Sequence, residues 1–160
     1  MTISASGYAA YDATGPLAPW QFDRRDPGAR DVQIEILFCG ICHSDVHTVR
    51  GEWGPIAYPQ VPGHEIVGRV VSTGAEVSRY KTGDLVGVGC LIDSCLHCPS
   101  CTQGLEQYCD SGMTGGTYGG IEKETGRPTQ GGYSSVIVVD ERFVLRVPDG
   151  MDPAATAPLL

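Results

Sequence analysis

Apolar and polar side chains alternate in short stretches along this chain, and glycine and proline cut the stretches apart. Val32-Gln33-Ile34-Glu35-Ile36 puts every second residue on one face and runs on into Leu37-Phe38, the period of a half-buried strand. Residues 66–71 and 85–88 are nearly continuous apolar runs near glycines, the pattern of buried strands. Residues 136–139 and 143–147 predict a late strand pair, separated by Asp140-Glu141-Arg142. Helical signals are few. One short helix is predicted around 44–49, and another begins near Asp152, which can cap it while Pro153 takes its first position. Many short strands with glycine-rich turns predict a compact, mostly β domain of barrel type.

Composition narrows the class. At 160 residues the chain has room for one domain, or one domain and the start of another, and 41% hydrophobic against 19% charged residues suffices for a core. A formal net charge of -8 and a pI near 4.8 argue against nucleic acid and anionic membrane surfaces as partners, since both call for a basic footprint. No signal peptide is evident at the N-terminus, and no apolar run approaches the roughly 20 residues of a membrane span. The expectation is a cytoplasmic protein. Seven cysteines there, an odd number, point to metal rather than to a disulfide framework. The apolar ending, Met151 to Leu160, reads as a chain cut within a helix.

The cysteines fall into two groups. Cys95-x2-Cys98-x2-Cys101-x7-Cys109 offers four thiolates in one loop, which suits a tetrahedral structural zinc ion with no position left for substrate. A bacterial-type iron–sulfur cluster expects a shorter last gap and a following proline, whereas Asp110 follows here. His97 lies inside the loop and is read as a solvated residue. The other group is Cys39-Gly40-Ile41-Cys42-His43-Ser44-Asp45-Val46-His47, with Pro62-Gly63-His64-Glu65 further on. Taken alone, Cys39 and Cys42 are also compatible with a redox dithiol between a strand and a helix.

Through these residues the sequence resembles the zinc-dependent medium-chain alcohol dehydrogenases. The matching stretches are Gly40-Ile-Cys42-His-Ser44-Asp45-x-His47, Gly63-His64-Glu65-x-x-Gly68, Gly83-Asp84-x-Val86 and the four-cysteine loop, in the family's order over nearly the whole chain. Cys39-Gly-Ile-Cys42-His-Ser-Asp and Gly131-Gly132-Tyr133-Ser134 resemble the cinnamyl-alcohol-dehydrogenase branch. The resemblance implies a GroES-like barrel-type catalytic domain over 1–152, with a structural zinc loop at 93–110. It implies that 153–160 starts the helix leading to a Rossmann nucleotide-binding domain absent from this chain. It also implies that Cys42 and His64 are catalytic zinc ligands, and that Glu65 can swap onto the metal. The family's third ligand, a cysteine, would lie beyond residue 160. Asp45 would orient the ligands, and Ser44 would touch the substrate oxygen. His47 would end the proton relay at solvent, with His43 and His47 on the cofactor side. Trp53 would line the substrate pocket, or simply pack in its loop.

The implied function is hydride transfer between a small alcohol or aldehyde and NAD(P)(H), with NADP(H) expected from the branch, and the fragment by itself is expected to be inactive. The cofactors are then structural and catalytic zinc, and the full-length enzyme would be a homo-oligomer. Cys39 and Cys90 have no matching role and are read as small buried residues. Gly115-Gly-Thr-Tyr-Gly119-Gly120 neither follows a strand nor opens a helix, so it is read as a flexible loop rather than a dinucleotide fingerprint. The alternative function is a zinc-stabilised GroES-like binding module without catalysis, which would need none of Cys42, Ser44, His47, His64 and Glu65.

Overall fold

In the computed structural model, which describes residues 2–160, the alternating segments become strands. The chain runs through β1 (Ile3–Ala9), β2 (Ala18–Arg24), β3 (Asp31–Cys39), α1 (His43–Val49), β4 (Ile66–Thr73), β5 (Leu85–Val88) and β6 (Leu91–Asp93). It continues through α2 (Pro99–Thr102), β7 (Gly115–Gly116), β8 (Val136–Asp140), β9 (Val144–Arg146) and α3 (Pro153–Thr156). Five strands in the order β8-β3-β4-β5-β9 form one curled antiparallel sheet, a half-barrel. The hairpin β1-β2 joins it through a bridge from Gly7 to Ser134, and β6-β7 form a two-stranded ribbon, one strand on either side of the cysteine loop in the chain.

The alternation in β3 does what its period demands. Val32 and Ile34 are fully buried against Ile66, Val70, Val86, Val88, Ile137, Val139 and Val144, while Glu35 is exposed. Each such burial stabilises the fold by roughly 1.5–3 kcal/mol. Strand β4 reads as a continuous apolar run because both of its faces are covered. Ile66 and Val70 enter the main core, and Val67 packs with Val147 and Ala157 on the other side. Register shifts between Ile36 and Phe38 mark a bulge at Leu37, which bends the end of β3 just before Cys39.

Three expectations change. Segments β8 and β9 do not pair with each other: β8 lies on β3 and β9 on β5, at opposite edges of the sheet. The reason lies between them. Asp140 accepts from the Arg142 amide at 2.9 Å to open a 3-10 turn over Glu141–Phe143. The buried Glu141 accepts from the amides of Ser78 and Arg79 at 3.0 and 2.9 Å, so the chain crosses the sheet instead of folding back. The glycine stretch at 115–120 is also held in place. Its first two residues are β7, Thr117 donates to the Cys90 carbonyl, and Gly120 accepts from Thr129. Finally, Cys90 is exposed, whereas Cys39 is half-buried against the main core. Strand β5 ends at Val88, and the Cys90 carbonyl turns in to the Thr117 amide. At the other end, Asp152 caps α3 as its position predicts, accepting from Ala154 and Ala155 at 2.8 and 3.1 Å. Among the described residues, no helix is long and apolar enough to cross a membrane.

Candidate metal centres

The four-cysteine loop closes on itself. The ligand atoms of Cys95, Cys98, Cys101 and Cys109 all lie within 4.8 Å of one another, and none of the chain's cysteines is in a disulfide. A zinc ion with bonds of about 2.3 Å would hold sulfurs about 3.8 Å apart along a tetrahedron edge, and Cys95 Sγ stands 3.8 Å from Cys101 Sγ. Backbone amides already point at the sulfurs. Cys98 donates to Cys95 at 3.4 Å, Cys101 to Cys98 at 3.4 Å, and Asp110 to Cys98 at 3.3 Å. The Ser111 hydroxyl, with the His97 amide, pulls the Cys95 thiol down to about 5, and Cys109 is also lowered, chiefly by the Cys95 amide. The Cys101 amide pulls Cys98 down as well, but desolvation and the neighbouring Cys101 and Cys95 sulfurs leave it pushed up to about 11. Crowded sulfurs of this kind are what a cation relieves. His97 stays outside the cluster, exposed, with Nδ1 2.7 Å from the Cys95 carbonyl oxygen.

The second cluster forms where the bent end of β3 enters α1. Cys42 is the residue before the helix, and Asp45 at its third position turns back to accept from the Cys42 amide at 2.9 Å. His64 and Glu65 arrive on the segment leading into β4. Gly63 adopts φ +100, a conformation that favours glycine, and donates to Asp45 Oδ1 at 2.9 Å. The ligand atoms of Cys42, His64 and Glu65 lie within 4.8 Å of one another. His64 Nδ1 faces Asp45 Oδ1 at 3.4 Å and the Tyr118 hydroxyl at 3.1 Å, which leaves Nε2 as the ring nitrogen free for a ligand.

One atom tests whether a metal fits. Glu65 Oε2 is buried with no hydrogen-bond partner, and among the described residues neither Glu65 nor Asp45 forms an ion pair with a lysine or arginine. A buried carboxylate oxygen left so costs stability unless a cation meets it. A thiol, an imidazole and a carboxylate converging on one point form a zinc-type donor set, with fewer protein ligands than a closed structural site. The residues fit the ion.

Around the cluster, Ser44 Oγ lies 3.3 Å from Cys42 Sγ. One turn on, His47 Nδ1 meets the Glu52 carboxylate, whose pKa that contact lowers. The exposed His43 ring stands 4.6 Å from His47, and Trp53, itself exposed, stacks on His47 at 4.9 Å rather than packing inside its loop. The sequence reading missed Glu52, Tyr118 and Tyr133. Tyr133 donates to Asp45 Oδ2 at 2.9 Å. Burial, then the Asp45 carboxylate, pushes both phenols well above their ordinary range, which keeps them neutral. Burial likewise pushes the Cys39 thiol up to about 12, so it is a poor partner for dithiol chemistry. Partial desolvation, then the charges of Cys42 and Glu65, raises the Cys90 thiol.

Known proteins match this chain over most of its length. The family model described as alcohol dehydrogenase GroES-like domain matches residues 28–149, a stretch that holds the whole five-stranded sheet and both clusters. That match defines the class, and the chain belongs to this family. It is 57% identical over 157 residues to NADP-dependent alcohol dehydrogenase C of Mycobacterium bovis, covering 98% of this chain and 45% of that protein. It is 56% identical over 161 residues to the aldehyde reductase YahK of Escherichia coli K12, again covering 45% of the relative. Its structure superimposes on a cinnamyl alcohol dehydrogenase from Sorghum bicolor with a TM-score of 0.94 at 47% identity, covering 99% of this chain and 44% of the other. The chain thus spans about half the length of the relatives it matches.

Proposed function

We propose that the protein interconverts a small alcohol and its aldehyde or ketone, with NADP(H) preferred over NAD(H). The reading rests on one observation above others: an orphaned Glu65 oxygen converges with Cys42 and His64, and a hydroxyl, Ser44, stands beside Cys42. When bound, zinc supplies Lewis acidity at the substrate oxygen and the nicotinamide dinucleotide supplies or receives the hydride. Cys42 and His64 hold the ion, and Glu65 stands ready as an exchangeable third donor. Ser44 Oγ takes the alcohol proton as it hands its own on towards His47. His47, one turn further along α1, passes it on: Glu52 engages Nδ1, so Nε2 is the accepting nitrogen, and the half-exposed ring reaches solvent. Asp45 keeps His64 in the tautomer that leaves Nε2 free.

In this proposal residues 1–152 are the catalytic unit and the loop at 93–110 is its structural zinc lobe. Residues 153–160 lead towards a nucleotide-binding part, against which His43 and His47 face the cofactor. The names of the relatives support NADP, and alcohols or aldehydes as substrates, and free thiols at every cysteine suit a cytoplasmic protein, proposed here as a homo-oligomer.

The test is steady-state oxidation of NADPH by the full-length, zinc-loaded enzyme with a panel of aldehydes. The expected result is turnover that prefers NADPH to NADH. Ser44→Ala should lower kcat about a hundredfold or more with metal content unchanged. A metal-loaded enzyme that oxidises neither cofactor with any aldehyde contradicts the proposal.

A further inference from the structure

Asp45 is the busiest side chain at the open cluster. It is 3% exposed, and each of its oxygens meets a segment that carries a ligand. Oδ2 accepts from the Cys42 amide at 2.9 Å, while Oδ1 accepts from the Gly63 amide at 2.9 Å and stands 3.4 Å from His64 Nδ1. One carboxylate therefore ties the Cys42 segment to the His64 segment. A third segment fixes that carboxylate: Tyr133 donates its hydroxyl to Oδ2 at 2.9 Å from 88 residues away.

The backbone around Tyr133 is arranged to make that contact. Gly131 donates to Val61, Gly132 to Gly63, and Tyr133 to Pro62, at 2.7, 2.8 and 3.0 Å, so the loop zips along the residues just before His64. The Tyr133 ring then lies over Gly63, where a β-carbon would come within 2.6 Å of Cδ1. From the far side, β2 supplies Arg24. It donates to the carbonyls of Gln130, Gly131 and Val136 at 2.6, 2.9 and 3.0 Å and to Ser134 Oγ at 3.0 Å. Among the described residues it forms no ion pair, so its charge is spent on holding this loop.

We infer that Tyr133 is a positioning residue for the open metal cluster: its hydroxyl, carried on a loop whose backbone Arg24 holds, fixes the carboxylate that sets Cys42 and His64 relative to each other. The inference rests on the reading of Cys42, His64 and Glu65 as metal ligands. Outer groups that orient ligands in this way are typically worth about 10–100-fold in metal affinity. Removal of the hydroxyl leaves Asp45 Oδ2 its bond to the Cys42 amide and leaves the ring on Gly63, so the fold keeps its packing while the carboxylate loses one constraint.

The two clusters in one chain supply the control. Zinc is stripped from the purified protein and from Tyr133→Phe, and each is titrated with cobalt(II) against a competing chelator. The two sites are separated by their visible spectra, since four thiolates and a single thiolate give different charge-transfer and d–d bands. The expected result is cobalt affinity about 10–100-fold weaker at the open cluster of Tyr133→Phe, with altered d–d bands there and the four-cysteine site unchanged. Equal affinity and identical spectra at the open cluster overturn the inference. Parallel weakening at both clusters also overturns it, because that marks a fold-wide defect. Cobalt uptake at the four-cysteine site alone in the unaltered protein overturns the reading of the open cluster itself, and the inference with it.

Discussion

Gly40 shows how little room the open cluster leaves. A β-carbon there would sit 2.0 Å from Glu65 Oε2 and 3.0 Å from Glu65 Cβ, so any larger residue pushes the carboxylate away from Cys42 and His64. Gly40→Ala should therefore destabilise the fold by about 1–3 kcal/mol, the usual range for overpacking. It should also weaken metal retention at the open cluster, read by chelator competition, while the four-cysteine site holds its ion. At this scale the residues legible in the sequence are those whose spacing is local. Cys42, Ser44, Asp45 and His47 sit on one short helix and its entry, and His64 and Glu65 are adjacent. Tyr133 was visible only as part of a glycine-rich stretch, because its partner Asp45 is brought to it by tertiary folding. Glu52 lay in plain view five residues from His47, but no period or motif singles out a carboxylate in a turn.

Strands with clear alternation, such as β3, or with long apolar runs, such as β4 and β5, appear where the sequence puts them, within a residue or two. Strand β1 escaped because Ser-Ala-Ser-Gly gives no apolar stripe, and β2 because Pro19 leaves only a short Trp20-Gln21-Phe22 alternation. The error over β8 and β9 was one of partnership, not existence: nothing local reveals that Glu141 bonds to amides 62 and 63 residues away. The cysteine loop is the opposite case, since its ligands and its wrapping amides lie within one short segment. There the lowered Cys95 and the raised Cys98 make a prediction. In the metal-depleted protein at neutral pH, Cys95 is mostly thiolate and Cys98 mostly thiol, and thiolates are the species that alkylate. Mass spectrometry after brief iodoacetamide treatment should find Cys95 modified well before Cys98. The reverse order would mean that the Ser111 hydroxyl and the His97 amide do not favour the Cys95 thiolate as described.

The whole molecule is a curled sheet that carries two candidate metal sites of different kinds, and the difference bears on the roles proposed for them. Four thiolates around one zinc ion leave a net charge of about -2 and no open position, which suits a structural clamp. One thiolate, one imidazole and an exchangeable carboxylate leave room and a more strongly Lewis-acidic ion. Both assignments can be read against each other in a single sample. The most direct measurement is zinc per chain by elemental analysis of the purified protein and of two single variants, Cys95→Ser and Cys42→Ser. The account predicts zinc at both clusters, with Cys95→Ser losing the ion of the loop and Cys42→Ser losing only the other. Zinc content that Cys42→Ser leaves unchanged, in a protein whose loop is loaded, would contradict it.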